Sequence, residues 1–199
     1  MLKRFALILV ALTLLALMIG CGKAPEAEMQ RANSAQEAAR MAEAETYVES
    51  LYLAAQDTMN AAMAAKQEQD SKFALFRSYG KAKEGFIAAE TMFNNTVAAA
   101  QGEKERVKNL VAQMLVDAKA VLDSADMMLK KAPRGKGSTA DIELIKNDLA
   151  AVQTSYGEAE ADINTGKYMA AKSKLEALVQ KAHAIMDEIS AAAAKKAGM

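Results

Sequence analysis

The chain has 199 residues, enough for one domain of ordinary size, and its 25 basic and 25 acidic side chains leave a formal charge of zero. No basic domain stands out to gather nucleic acid, and a single cysteine excludes an internal disulfide framework. About half of the residues are hydrophobic, but alanine, methionine, leucine, lysine and glutamate dominate, proline occurs twice and tryptophan is absent, so helices are expected and a sheet is not.

Lys3 and Arg4 give the chain a positive start, Phe5 to Ile19 is uncharged and broken only by Thr13, and Gly20 precedes the lone Cys21. As a helix the apolar run would reach only about 22 Å at about 1.5 Å per residue, short of the ~30 Å hydrocarbon core, so it reads as a secretory leader rather than a span. The ending Met18-Ile19-Gly20-Cys21 resembles the bacterial lipobox, with Met18 where leucine is usual. The resemblance implies cleavage between Gly20 and Cys21, a diacylglycerol on the Cys21 thiol and an acylated amine on the new first residue. One acyl chain supplies only about 10⁴ M⁻¹ of membrane affinity, so three chains on one residue would hold firmly. Gly22 follows the cysteine where an aspartate resembles an inner-membrane retention signal, which points to the outer membrane, facing the periplasm. The plainer alternative is an ordinary leader with a free cysteine near the cut. The expected organisation is a signal peptide over 1–20, a tether over 21–33 and a helical bundle domain over 34–199. Pro25 forbids a helix running through the tether, though one can begin just after it.

No proline interrupts 26–132. Softer breaks are expected at Gln67 to Ser71, at Asn94-Asn95-Thr96 and at Gly102, and a firm one at Pro133, Gly135 and Gly137, with Ser138 or Thr139 capping the next helix and Asp141 in its first turn. Asn164-Thr165-Gly166 makes another turn. Between the breaks, apolar residues recur at steps of three and four: Met41, Val48, Tyr52, Ala55, Met59, Ala62; Leu75, Tyr79, Ala82, Phe86, Ala89, Phe93; Val107, Val111, Met114, Ala118, Val121, Ala125, Met128; Ile142, Ile145, Leu149, Val152, Tyr156, Ala159, Ile163; and Tyr168, Ala171, Leu175, Leu178, Ala182, Ile185, Ile189. An average step near 3.5 favours left-handed, coiled-coil-like antiparallel packing. The fold class is therefore all-α: an elongated antiparallel bundle of four to five helices, roughly 26–67, 71–93, 97–131, 139–163 and 167–195, in which the first two can also be one rod. The echo between Ser78 to Lys83 (SYGKAK) and Ser155 to Glu160 (SYGEAE) allows two helical hairpins of common origin.

The stretch from Asn164 to Ala182 resembles the turn of tetratricopeptide-like hairpins, with Gly166, Tyr168 and Ala171 at the glycine, aromatic and alanine positions. Together with Pro133 and the helix after it, it also resembles a group of bacterial helical lipoproteins of unknown function. The resemblance covers about the last third of the chain, and the full repeat does not recur. It implies a peptide-binding groove only weakly.

The chemistry is sparse. His183, the only imidazole, lies beside the last stripe with Asp187 one turn on, and no serine or cysteine partner accompanies it, so triad hydrolysis is not expected. Gln180 stands three before His183, where a Glu-x-x-His di-metal motif needs glutamate. Met59, Met63, Met114, Met127, Met128, Met169 and Met186 read as core fillers rather than copper ligands. The charged run GEKERVKN (102–109) reads as a solvated face, and PRGKGST (133–139) lacks the spacing of a phosphate loop. No catalytic residue, metal site or cofactor is expected. The expected function is a non-enzymatic envelope lipoprotein, a structural or interaction module held to the membrane through Cys21 and partnered by other envelope proteins or peptidoglycan. The alternative is a carrier of a small hydrophobic ligand in a helical-bundle cavity.

Overall fold

The computed structural model describes residues 23–132 and 139–197. Among them the protein is all-α, with six α-helices and no strand: α1 Glu26–Met41, α2 Ala44–Tyr47, α3 Glu49–Asp70, α4 Gly80–Lys131, α5 Thr139–Asn164 and α6 Tyr168–Ala197. A single 3₁₀ turn, Ala74–Phe76, lies between α3 and α4. The chain divides into two compact units, residues 1–103 and 104–199, so α4 contributes its first half to one and its second half to the other.

Unit 1 packs three long segments, α1, α3 and the first half of α4, with the short α2 in the turn between α1 and α3, and its register is readable from side-chain pairs. Glu26 meets Lys66, Gln36 hydrogen-bonds Gln56, and Arg40 Nε donates to Tyr52 Oη at 2.8 Å, so α1 and α3 are antiparallel. Glu28 meets Lys83 and Arg31 meets Glu90, so α4 runs parallel to α1. The core is built from α1 alanines (Ala32, Ala35, Ala39), from Tyr52, Ala55 and Met59 on α3, and from Phe86, Ala89 and Phe93 on α4. The Tyr52 and Phe93 rings pack tilted with centroids 5.7 Å apart. Small residues on α1 and α3 let the α4 phenylalanines fill the space between them. Gly85 marks the closest approach: a Cβ there would sit 2.8 Å from Ala62 Cβ.

The helix expected over 26–67 is a hairpin, not a rod. It turns at 42–48, where Glu43 takes a left-handed conformation with φ 58° and Val48 an irregular one. No glycine or proline signals this turn. It is closed by burial of Ala44 and Tyr47 and by helix-end hydrogen bonds from Ala42 and Glu43 to Ala38 and Arg40 carbonyls. Packing here outweighs the good helix propensity of AEAETYV, and Met41, expected on the apolar stripe, is 83% exposed at the tip. α1 begins at Glu26, so residues 26–33 of the expected tether belong to it, with Ala32 wholly buried.

Two other boundaries move. The expected helix 71–93 begins only at Gly80, and Leu75 is exposed in the 3₁₀ turn instead of on the stripe. The first two expected helices are thus separated, while the second and third are fused. Asn94 and Asn95 lie exposed on one continuous helix, and Thr96 is buried with its hydroxyl donating to the Met92 carbonyl at 2.8 Å. Thr96 and Ala100 carry the buried stripe from Phe93 on to Val107 without a change of period, so nothing stops the helix at Gly102.

Unit 2 is closer to expectation. α5 and α6 form an antiparallel hairpin joined at 165–167, with Gly166 at φ +78° and Lys167 N bonded back to the Asp162 carbonyl at 2.8 Å. Ile145, Leu149, Val152 and Ala159 face Ala171, Leu175, Leu178, Ala182, Ile185 and Ile189, all buried. The second half of α4 buries Val107, Val111, Ala118, Leu122, Ala125 and Leu129. The SYG echo occupies inequivalent places, opening α4 in one unit and lying inside α5 in the other.

Candidate functional site

Gly20 and Cys21, the expected cleavage and lipidation residues, lie outside the described residues, as do Pro133, Gly135, Gly137 and Ser138. The three turn residues of the last hairpin sit together: Gly166 supplies the left-handed backbone, Tyr168 opens α6 half-buried, and Ala171 is wholly buried. Their roles are those of a helical turn. Beside it Lys174 reaches back to α5, with Nζ 2.8 Å from Asp162 Oδ2 and 3.4 Å from Glu158. The hydrogen bond to Asp162 raises the Lys174 pKa. His183 and Asp187 are both exposed, and among the described residues no hydrogen bond joins them. Of the methionines expected in the core, Met59 is buried, whereas Met63, Met127 and Met169 are exposed.

The most organised polar cluster lies where the N-terminal arm enters unit 1. Lys66 Nζ is 3.1 Å from Glu26 Oε1 and 3.0 Å from Asp70 Oδ2, tying the start of α1 to the end of α3. Tyr79 Oη donates to Asp70 Oδ1 at 2.6 Å, adding the start of α4. These contacts shift the titration of Asp70, Lys66 and Tyr79. The Tyr79 hydroxyl, then Lys66, hold the Asp70 carboxyl below its ordinary value, and Asp70, then Glu26, raise the Lys66 ammonium. Asp70 also pushes the Tyr79 phenol up. Two residues along, the backbone at Glu28 and then Lys83 lower the Glu28 carboxyl.

The same cluster braces the segment between α3 and α4. Arg77 Nε donates to the Lys72 carbonyl at 2.9 Å and Nη2 to the Asp70 carbonyl at 2.8 Å. Ser78 N donates to Gln69 Oε1 at 3.1 Å, and Phe76 N to the Phe73 carbonyl at 2.9 Å. So held, the turn carries Phe73, Leu75 and Phe76 in the open, with the two rings 6.4 Å apart. Leaving such side chains in water forgoes roughly 1.5–3 kcal/mol each. The helical reading of 71–93 hid this feature. Its sequence signal is the pair of phenylalanines in KFALFR, off the stripe that Tyr79, Ala82 and Phe86 continue.

Shallower grooves line the helix seams. One of about 590 Å³ between α1 and α4 is crossed by the Arg31–Glu90 ion pair at 3.2 Å. Another of about 260 Å³ between α5 and α6 has Val152 and Ile185 at its floor and Asp148, Lys181 and Glu188 exposed around it. A third of about 330 Å³, between α4 and α6 in unit 2, is walled by Met114, Leu175 and Val179 with Asp117 and Glu176 beside them. Among the described residues no three His, Cys, Asp or Glu side chains converge as a metal ion would need, and no helix is long and apolar enough to cross a membrane. No family model, curated protein or solved structure matches the chain.

Proposed function

We propose that this chain is a non-enzymatic lipoprotein, anchored by an acylated Cys21 in the outer membrane and presenting its helical body to other envelope proteins or to peptidoglycan. The observation that carries the reading is Met18-Ile19-Gly20-Cys21 at the end of a basic start and an apolar run, with the only thiol of the chain at its last position. The fold is compatible with it. α1 opens at Glu26, five residues beyond Cys21, and its first turn is locked by ion pairs to α3 and α4. An anchored first residue would therefore hold a folded body close to the lipid rather than on a long leash.

Mass spectrometry of the chain extracted from membranes tests the anchor. The expected product begins at Cys21 and carries acyl mass on that residue; an intact 1–20 segment or a free Cys21 thiol would reject it. Crosslinking in the native envelope tests the interaction role, which predicts a reproducible set of protein or peptidoglycan adducts. The carrier alternative draws on the α4–α6 groove at Met114, Leu175 and Val179, and a copurifying small hydrophobic molecule with no protein adduct would favour it.

A further inference from the structure

Phe73, Leu75 and Phe76 are exposed within four consecutive positions, the phenylalanines 69% and 76% and the leucine 47%. Of the five phenylalanines in the chain, Phe86 and Phe93 are fully buried in the same unit, so the fold had apolar space and left these two out. Other exposed apolar side chains, such as Met41, Leu53 and Ile87, stand on helices. These three instead ride on a turn whose backbone is clamped from both sides by Arg77 and by Gln69. The turn is built to hold its apolar side chains outward.

Its position supplies the occupant. Lys66 joins Glu26 to Asp70, so the braced turn and the entry of the N-terminal arm share one end of unit 1. Cys21 precedes Glu26 by five residues, which span at most about 17 Å when fully extended. Lys23 and Lys81 are exposed and Arg77 half-exposed at this end, while Lys66 engages the carboxylates of Glu26 and Asp70 and Lys72 that of Glu68. Aromatic rings flanked by basic groups suit the boundary between lipid headgroups and acyl chains.

We infer that the Phe73–Phe76 knuckle is a second membrane contact, entering the headgroup boundary of the leaflet that holds the Cys21 acyl chains. It rests on the lipid-anchor reading above. Its consequence is orientation: acyl chains on a short arm restrain distance, and a second contact point sets which end of unit 1 faces the lipid.

The absence of tryptophan makes the test direct, because Phe76→Trp installs the only indole. The full chain, made with its own leader and extracted in detergent, is reconstituted into phosphatidylethanolamine and phosphatidylglycerol vesicles with and without brominated acyl chains. Met41→Trp, at the opposite end of α1 about 24 Å away, is the control. The expected result is emission shifted to shorter wavelength and quenched by brominated lipid for Phe76→Trp, with solvent-like, unquenched emission for Met41→Trp. An unquenched Phe76→Trp indole on chain whose Cys21 is acylated by mass overturns this inference alone. So does an indole that is shifted but unquenched, which assigns the knuckle to a protein partner or a second copy. An unacylated Cys21 overturns the anchor reading, and this inference falls with it.

Discussion

At Gly85 a missing side chain does more than most side chains present. A Cβ built there would lie 2.8 Å from the Ala62 Cβ and 3.3 Å from its Cα, and backbone cannot yield as a flexible side chain would. Gly85→Ala gains helix propensity of about 1 kcal/mol but must push α3 from α4, at a cost of about 1–3 kcal/mol from overpacking. The expected outcome in urea unfolding is a net loss, recovered in part when Ala62→Gly reopens the space; a stabilised single variant would refute the close approach. Asp70 makes a different prediction, from charge. Its folded pKa is depressed by Tyr79 and Lys66, so the stability it contributes is present above its unfolded value, about 3.9, and is lost as pH falls through the lower folded value. Lys66 and Tyr79 are raised, so their contributions hold below their unfolded values and are lost only as strongly alkaline pH is reached. Asp70→Asn should therefore lower stability near neutral pH and flatten its decline toward about pH 3, measured as urea midpoints at the two pH values. Neither residue was legible as special in the sequence. Gly85 lies in a helix-forming stretch where one glycine is unremarked, and Asp70 meets Tyr79 only because the chain turns between them.

Element by element, what could be read depended on whether a boundary was chemical or tertiary. The α5–α6 turn was readable because Asn164-Thr165-Gly166 places a glycine where the backbone needs φ +78°, and the apolar stripes on either side predicted the buried faces almost residue for residue. The turn between α1 and α3 was not, because Glu43 adopts its left-handed conformation without a glycine and is held there by burial of Ala44 and Tyr47. The opposite error occurred in α4. Asn94, Asn95, Thr96 and Gly102 are weak helix formers, yet Phe93, Thr96, Ala100 and Val107 keep one buried face, and a continuous face outweighs a few tenths of a kcal/mol per residue. Two glycine substitutions separate these cases. At Gly102 a Cβ meets nothing within 4 Å and the backbone is helical, so Gly102→Ala should stabilise by about 0.5–1 kcal/mol. At Gly166 the space is equally open but φ is +78°, so Gly166→Ala should destabilise by about 1–2 kcal/mol. Thermal unfolding of the two variants reads the signs. A Gly102→Ala variant that loses stability would mean that α4 does break there.

On the scale of the whole molecule the charge balance decides how a membrane could hold the chain. Without Lys3 and Arg4 it carries 23 basic and 25 acidic groups, so no net field draws it to an anionic surface. Many of those charges are consumed within single helices, as Lys108 with Glu105, Lys119 with Asp123 and Lys130 with Asp126 illustrate. The charge balance was legible in the composition; the apolar turn after α3 stayed hidden because its exposure depends on where two helices end. A hold made of acyl chains and aromatic rings differs from an ionic one in its response to salt. At about 1 M salt the screening length falls to about 3 Å, which dissolves surface ion pairing but leaves apolar burial intact or strengthened. Membranes washed at that ionic strength should therefore retain the protein, and only detergent should release it, as followed by immunoblot of pellet and supernatant. Release by salt alone would mean that charged groups, not acyl chains and aromatic rings, hold the chain to the membrane fraction.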